Sequence, residues 1–198
     1  EARRRSKAPV PVSEYSPDPG LSDLGRDRTY LLQTYGCQGN EADSEKIRGL
    51  LESLGFRATE SEDSADLVVF NTCAIRENAE DKVFGEVGRI KRFKDKKPGM
   101  LIAVGGCMPQ EETVVDRILK KFPQVDVVFG THNLHRLPGY LRDAMAGKRP
   151  VVDVWSGEGE IVERVPAIRQ SGVKAWVKLM YGCDEFCPFC IVPYTRGR

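Results

Sequence analysis

Neither sign of charge is in excess in this chain, and no long apolar stretch is present. Its 30 Lys and Arg stand against 29 Asp and Glu, a formal net charge of +1. Total charge therefore argues neither for nor against a nucleic-acid partner, which needs a local basic patch. No run of about 18 apolar residues occurs, so no transmembrane helix is expected. The opening EARRRSKAPVPVSEYSPDPG lacks the apolar segment of a signal peptide. A cytoplasmic protein with no membrane partner is the expectation. Histidine is scarce, with 2 residues. His132 and His135 stand at an expected helix start, where capping or surface polarity is the ordinary use; completing a zinc tetrahedron is the alternative.

What is present suits a globular domain with additional material. The chain has 198 residues, 40% of them hydrophobic and 30% charged, enough to bury a core without disulfides. Its 6 cysteines, in a reducing compartment, turn attention to metal ligation or redox chemistry. Residues 1–27 combine Pro, Ser, Gly and charge, including Arg3, Arg4 and Arg5, and read as a flexible tail.

From Arg28 a pattern recurs: a short apolar run, a cysteine, a polar turn and an amphipathic helix. Apolar runs at 30–35, 66–70 and 100–104 lead to Cys37, Cys73 and Cys107. They alternate little, as strands covered on both faces do. Asn40 is positioned to cap a helix whose stripe is Ile47, Leu50, Leu51 and Leu54, with Gly55 as its stop. Further helices are expected over 77–96, 110–121 and 133–146, and a fourth strand over 125–129. Such alternation predicts an α/β fold, a doubly wound parallel sheet of flavodoxin-like or Rossmann-like type, over residues 28–150.

Cys37, Cys73 and Cys107 are spaced by 36 and 34 positions, about one strand–helix unit each. All three would stand just past the carboxyl ends of strands in one sheet, the edge where such sheets build their sites. One cysteine there reads as a small buried hydrophobe. Three in equivalent positions point instead to a metal centre, zinc or an iron–sulfur cluster with an open iron.

After Pro150 the composition changes. A strand is expected over 151–155, a turn at 156–160, a connector over 151–172 as a whole, and a new strand over 174–180 that runs into Gly182-Cys183. There YGCDEFCPFC spaces Cys183, Cys187 and Cys190 as C-x3-C-x2-C, with Phe189 before the last. A loop of this length can turn three thiolates toward one cluster face and leave an iron open, whereas a structural zinc knot needs a fourth ligand.

These residues resemble the radical S-adenosylmethionine methylthiotransferase family. The resemblance rests on TYGCQGNEADSE (34–45), NTCAIRENAEDKVFG (71–85), GGCMPQ (105–110), VFGTHNLHRLP (128–138) and GCDEFCPFCIVPYTRGR (182–198). The elements at 71–77 and 130–133 are most similar to the branch acting on N6-isopentenyladenosine in tRNA. The branches acting on an aspartate of ribosomal protein S12 and on threonylcarbamoyladenosine are close relatives. Two positions depart from the family pattern: Gly39 stands where Met is usual, and Asp184 where Asn is common.

The resemblance implies a methylthiotransferase N-terminal domain over 28–150, followed at 173–198 by the first strand and cluster loop of a radical S-adenosylmethionine partial TIM barrel, its remainder and a C-terminal tRNA-binding barrel absent. It implies two [4Fe–4S] clusters, one on Cys183, Cys187 and Cys190 and an auxiliary one on Cys37, Cys73 and Cys107. S-adenosylmethionine would bind the first, with Phe189 against its adenosine. The implied reaction adds a methylthio group to C2 of the adenine. The implied partners are tRNA and an electron donor such as flavodoxin or ferredoxin, the enzyme being a monomer and this portion alone inactive. A zinc-binding interaction module is the rival class. The basic run Arg89–Lys97 reads as a solvated helix end or, alternatively, a phosphate contact. Arg196 and Arg198 read equally as pocket-lining or as partners of carboxylates outside this chain.

Overall fold

The computed structural model describes residues 10–74, 77–155, 160–170, 172–185 and 187–197. The cluster Arg3–Arg5, most of the expected turn at 156–160 and Arg198 lie outside the described residues. In chain order the elements are β1 (Val12–Glu14), β2 (Thr29–Thr34), α1 (Gln38–Ser53), β3 (Arg57–Ala58), β4 (Leu67–Thr72) and α2 (Glu77–Lys96). They continue with β5 (Leu101–Gly106), α3 (Glu112–Lys121), β6 (Val127–Phe129), α4 (Leu137–Met145), β7 (Val151–Asp153), β8 (Ile161–Glu163) and the single turn α5 (Val192–Thr195).

Six strands form one parallel sheet in the order β3-β2-β4-β5-β6-β7. The first five follow the flavodoxin-type order 2-1-3-4-5, and β7 extends the far edge. Alternate residues of the central strands feed two cores. Tyr30, Val69, Ala103 and Phe129 face α1 and α4, where they meet Ile47, Leu50, Leu51 and Leu141. Leu31, Phe70, Ile102 and Val128 face α2 and α3, against Val83, Val87, Ile90 and Ile118. Strands β4 and β5 are buried at every position, which is why their sequences are continuously apolar rather than alternating. The doubly wound α/β expectation holds.

The differences from expectation lie at the margins. Residues 10–27 are not a flexible tail: β1 pairs in parallel with β8, Leu21 is buried, and the Gly25 N–H donates to Leu54 O. Proline and glycine in this stretch shape turns that pack; low periodicity had suggested disorder. The strand expected within the connector is β7, hydrogen-bonded to β6, so the sheet runs past residue 150. Helix α1 begins at Gln38 with Cys37 as its N-cap, which places Asn40 inside the first turn rather than at the cap. No strand forms over 174–180. A strand is defined by its ladder partners, and here Val177, Leu179 and Met180 are exposed with no neighbouring strand among the described residues.

Candidate functional site

The reversal of strand order between β2 and β4 opens a crevice at their carboxyl ends, the position where open parallel sheets bind ligands. Register pairs Thr34 with Asn71 and Thr72 with Gly106, so β2, β4 and β5 end at nearly the same level. Cys37, Cys73 and Cys107 follow these ends. Cys73 and Cys107 are buried, Cys37 is exposed, and none is in a disulfide. Close approach depends on glycine: Gly106 has φ +101, and a Cβ there would lie 2.4 Å from Thr72 O. A Cβ on Gly36 would lie 2.8 Å from the Cys73 Cβ, so the first and second cysteine loops touch.

A buried amide network ties these loops together. Asn40 Nδ2 donates to Thr72 O at 2.8 Å and to Asn71 Oδ1 at 3.2 Å. Asn71 Nδ2 donates to Asn40 O at 2.8 Å and to Ser44 Oγ at 2.9 Å. The Cys37 N–H donates to Asn40 Oδ1 at 3.3 Å and the Cys107 N–H to Thr72 O at 2.8 Å. Asn40, Asn71 and Thr72 are 0% exposed, so each amide bond is made where water cannot substitute.

The downstream cysteines are held differently. The Cys183 N–H donates to Gly197 O at 3.0 Å and the Cys190 N–H to Cys187 O at 2.9 Å, closing the loop on itself. Cys187 is exposed, Cys183 and Cys190 are half-buried, and Phe189 is 91% exposed. This segment is fastened to the first helix by a carboxylate. Asp43, buried on α1, accepts from Arg196 Nη1 at 2.7 Å and from Lys178 Nζ at 3.0 Å. Thr131 Oγ1 adds a bond to Thr195 O at 2.5 Å.

The guanidinium of Arg196 thus reaches the upstream crevice. Burial opposes its charge, but Asp43 and the thiols Cys107 and Cys37 outweigh this and hold its pKa above the ordinary value. Burial pushes the Cys107 thiol up to about 11 in spite of that guanidinium. Burial also lowers His132 and His135, with Arg196 and Lys178 further disfavouring charge on His132 and Arg136 on His135. The ring of His135 meets that of Trp155 edge-on. Among the described residues no three His, Cys, Asp or Glu side chains close on a single metal ion.

A cluster of several irons holds its thiolates further apart than one ion does, so three thiols that do not close on a single ion are compatible with such a group. The donor set fits such a group: three cysteines, glycines admitting close approach and, among the described residues, no fourth ligand and Arg196 Nη2 buried with no hydrogen-bond partner.

Three of the six cations in the basic run Arg89–Lys97 are committed to carboxylates. Arg89 pairs with Glu62 and Glu86, Lys94 with Asp126, and Lys97 with Asp66 at 2.7 Å. These cations fasten α2 to the domain and are poorly placed for phosphate.

Sequence reasoning missed the interior roles of Asp43, Lys178 and the amide pair Asn40–Asn71. A signal was available: Asn40, Asp43 and Ser44 continue the stripe of Ile47, Leu50, Leu51 and Leu54 backwards along α1. Polar residues on the buried face of an amphipathic helix must find partners in the interior.

Residues 29–130 match the family model described as Uncharacterized protein family UPF0004. The chain is also 51% identical, over 199 aligned residues, to the tRNA-2-methylthio-N(6)-dimethylallyladenosine synthases of Staphylococcus aureus strains JH9 and Newman. The alignment covers 100% of this chain and 39% of those relatives, so the chain spans well under half of their length.

Proposed function

The chain belongs to Uncharacterized protein family UPF0004, and from that premise we propose that it forms part of a tRNA methylthiotransferase acting at C2 of N6-isopentenyladenosine. The single observation carrying this reading is the pair of cysteine sets at one edge: Cys37, Cys73 and Cys107 at the switch-point crevice, with the Cys183–Cys190 loop fastened there through Asp43.

In this reading Cys37, Cys73 and Cys107 hold an auxiliary [4Fe–4S] cluster, and Cys183, Cys187 and Cys190 hold a second that binds S-adenosylmethionine. When bound, these groups supply the radical that activates the adenine carbon and the sulfur that replaces its hydrogen. The chain's own residues position and shield. Asn40 and Asn71 hold the three upstream loops in register. Phe189, exposed on its loop, offers a ring face to the cofactor's adenosine. The buried strand ends keep water from Cys73 and Cys107, while Cys37 stands at the exposed mouth of the crevice. The setting proposed is cytoplasmic and monomeric, with a flavodoxin or ferredoxin as reductant.

Mass spectrometry of tRNA nucleosides from cells lacking the gene tests the substrate. Loss of 2-methylthio-N6-isopentenyladenosine is expected; its persistence would overturn the assignment. Anaerobic reconstitution tests the class, since a broad absorbance near 400 nm that disappears when Cys37, Cys73 and Cys107 are replaced separates iron–sulfur from zinc.

A further inference from the structure

Arg196 belongs to the downstream segment yet spends its charge on the upstream crevice. Its Nη1 is taken by Asp43 Oδ2 at 2.7 Å. Its Nη2 is buried and, among the described residues, makes no hydrogen bond to nitrogen or oxygen, although buried guanidinium donors are ordinarily satisfied; the Cys107 thiol is the group beside the guanidinium. Its electrostatic neighbours, besides Asp43, are the thiols Cys107 and Cys37. The guanidinium passes over Gly39: a Cβ on that residue would lie 3.2 Å from Arg196 Cζ and 3.4 Å from its Nη2. A side chain at 39, where glycine is one of two departures from the family pattern, would crowd the guanidinium and require it to shift by at least a few tenths of an ångström.

Such an N–H among sulfur ligands calls for an acceptor in the same crevice. The acceptor chemistry available is thiolate or sulfide, both negatively charged and both lacking protons when iron is bound. We propose that Arg196 is a positioning residue for the upstream site: anchored by Asp43, its Nη2 donates an N–H···S bond to the thiolate or sulfide of the cluster on Cys37, Cys73 and Cys107. This rests on the cluster reading above and deepens it. Two consequences follow from charge and hydrogen bonding, which tune cluster potentials. The upstream cluster is easier to reduce than it would be without the arginine. Its environment also reports whether the downstream loop is docked, because the tuning group arrives on that loop.

The test uses the 198-residue chain with Cys183, Cys187 and Cys190 replaced by alanine, so that only the upstream cluster contributes. Iron content, the electron paramagnetic resonance spectrum and the midpoint potential are compared for this parent and for its R196Q, R196K and G39M forms. The expectation is normal iron content with a lower potential in R196Q, an intermediate potential in R196K, and a shift in the direction of R196Q in G39M as the methionine displaces the guanidinium. Unfolding followed by circular dichroism confirms that each form retains the sheet. Should R196Q lose its iron, R196K decides: it retains charge and a donor, so it must recover iron if the inference holds. A parent that binds iron while R196Q keeps the same potential and spectrum overturns the inference alone. A parent that binds no iron overturns the cluster reading and this inference with it.

Discussion

The two cysteine sets solve the same problem by opposite means. Upstream, three residues far apart in the chain are brought together by the sheet, their loops tied by amides that are 0% exposed. Downstream, three residues lie within eight positions of the chain, and their segment has no strand partner among the described residues. The first set is only as good as the tertiary structure around it. The second set is close in sequence, and its segment is located on the first domain by the bonds of Lys178 and Arg196 to Asp43.

Asp43→Ala breaks the comparison most severely, because it strands two cations at once. Removing one partner of a buried ion pair costs about 3–5 kcal/mol. Here the cost falls on docking of the downstream segment, since Lys178 and Arg196 both belong to it. Limited trypsin digestion should cleave around Lys174 and Lys178 much faster in the variant, while the thermal midpoint of the sheet changes little. An equal loss of sheet stability would show that Asp43 holds α1 rather than the segment.

Asn71→Ala tests the other side and is expected to be smaller. It leaves Asn40 and Ser44 without their buried partner, a cost of about 1–3 kcal/mol. Iron uptake by the upstream set should fall several-fold and that by the downstream set should not. Separate iron counts in proteins carrying one intact set each would decide it.

The smallest effect is kinetic. In the iron-free protein, alkylation at pH 8 should modify exposed Cys37 and Cys187 well before Cys73 and Cys107. The thiolate is the reacting form, and burial pushes the Cys107 thiol up to about 11, so raising the pH towards that value should accelerate Cys107 selectively, by mass-spectrometric peptide mapping. Equal rates at all six positions would mean that the crevice is open to solvent.

Much of this was legible in the sequence. The apolar runs and the stripe of α1 predicted the alternation of strands and helices, and α2 falls on the expected 77–96. The cysteines lie past strand ends because turns there are short, leaving few residues between the last ladder bond and the thiol. Short elements escaped: β3 has 2 residues, and β1 and β8 have 3 each, too few for a period to register. The strand expected over 174–180 had the right composition, but composition supplies no ladder partner.

The sequence by itself determined the layered fold, the cysteine positions and the spacing of the downstream loop, all of which follow from interactions over a few residues. Only the tertiary structure decided which strands adjoin, that Asn40 and Asn71 face each other, and that Arg196 meets Asp43 across 153 positions. Those contacts depend on the switch in strand order and on burial of polar groups with no local partner. Such a group takes whatever complement the packed chain brings to it, and no local pattern records which one that is.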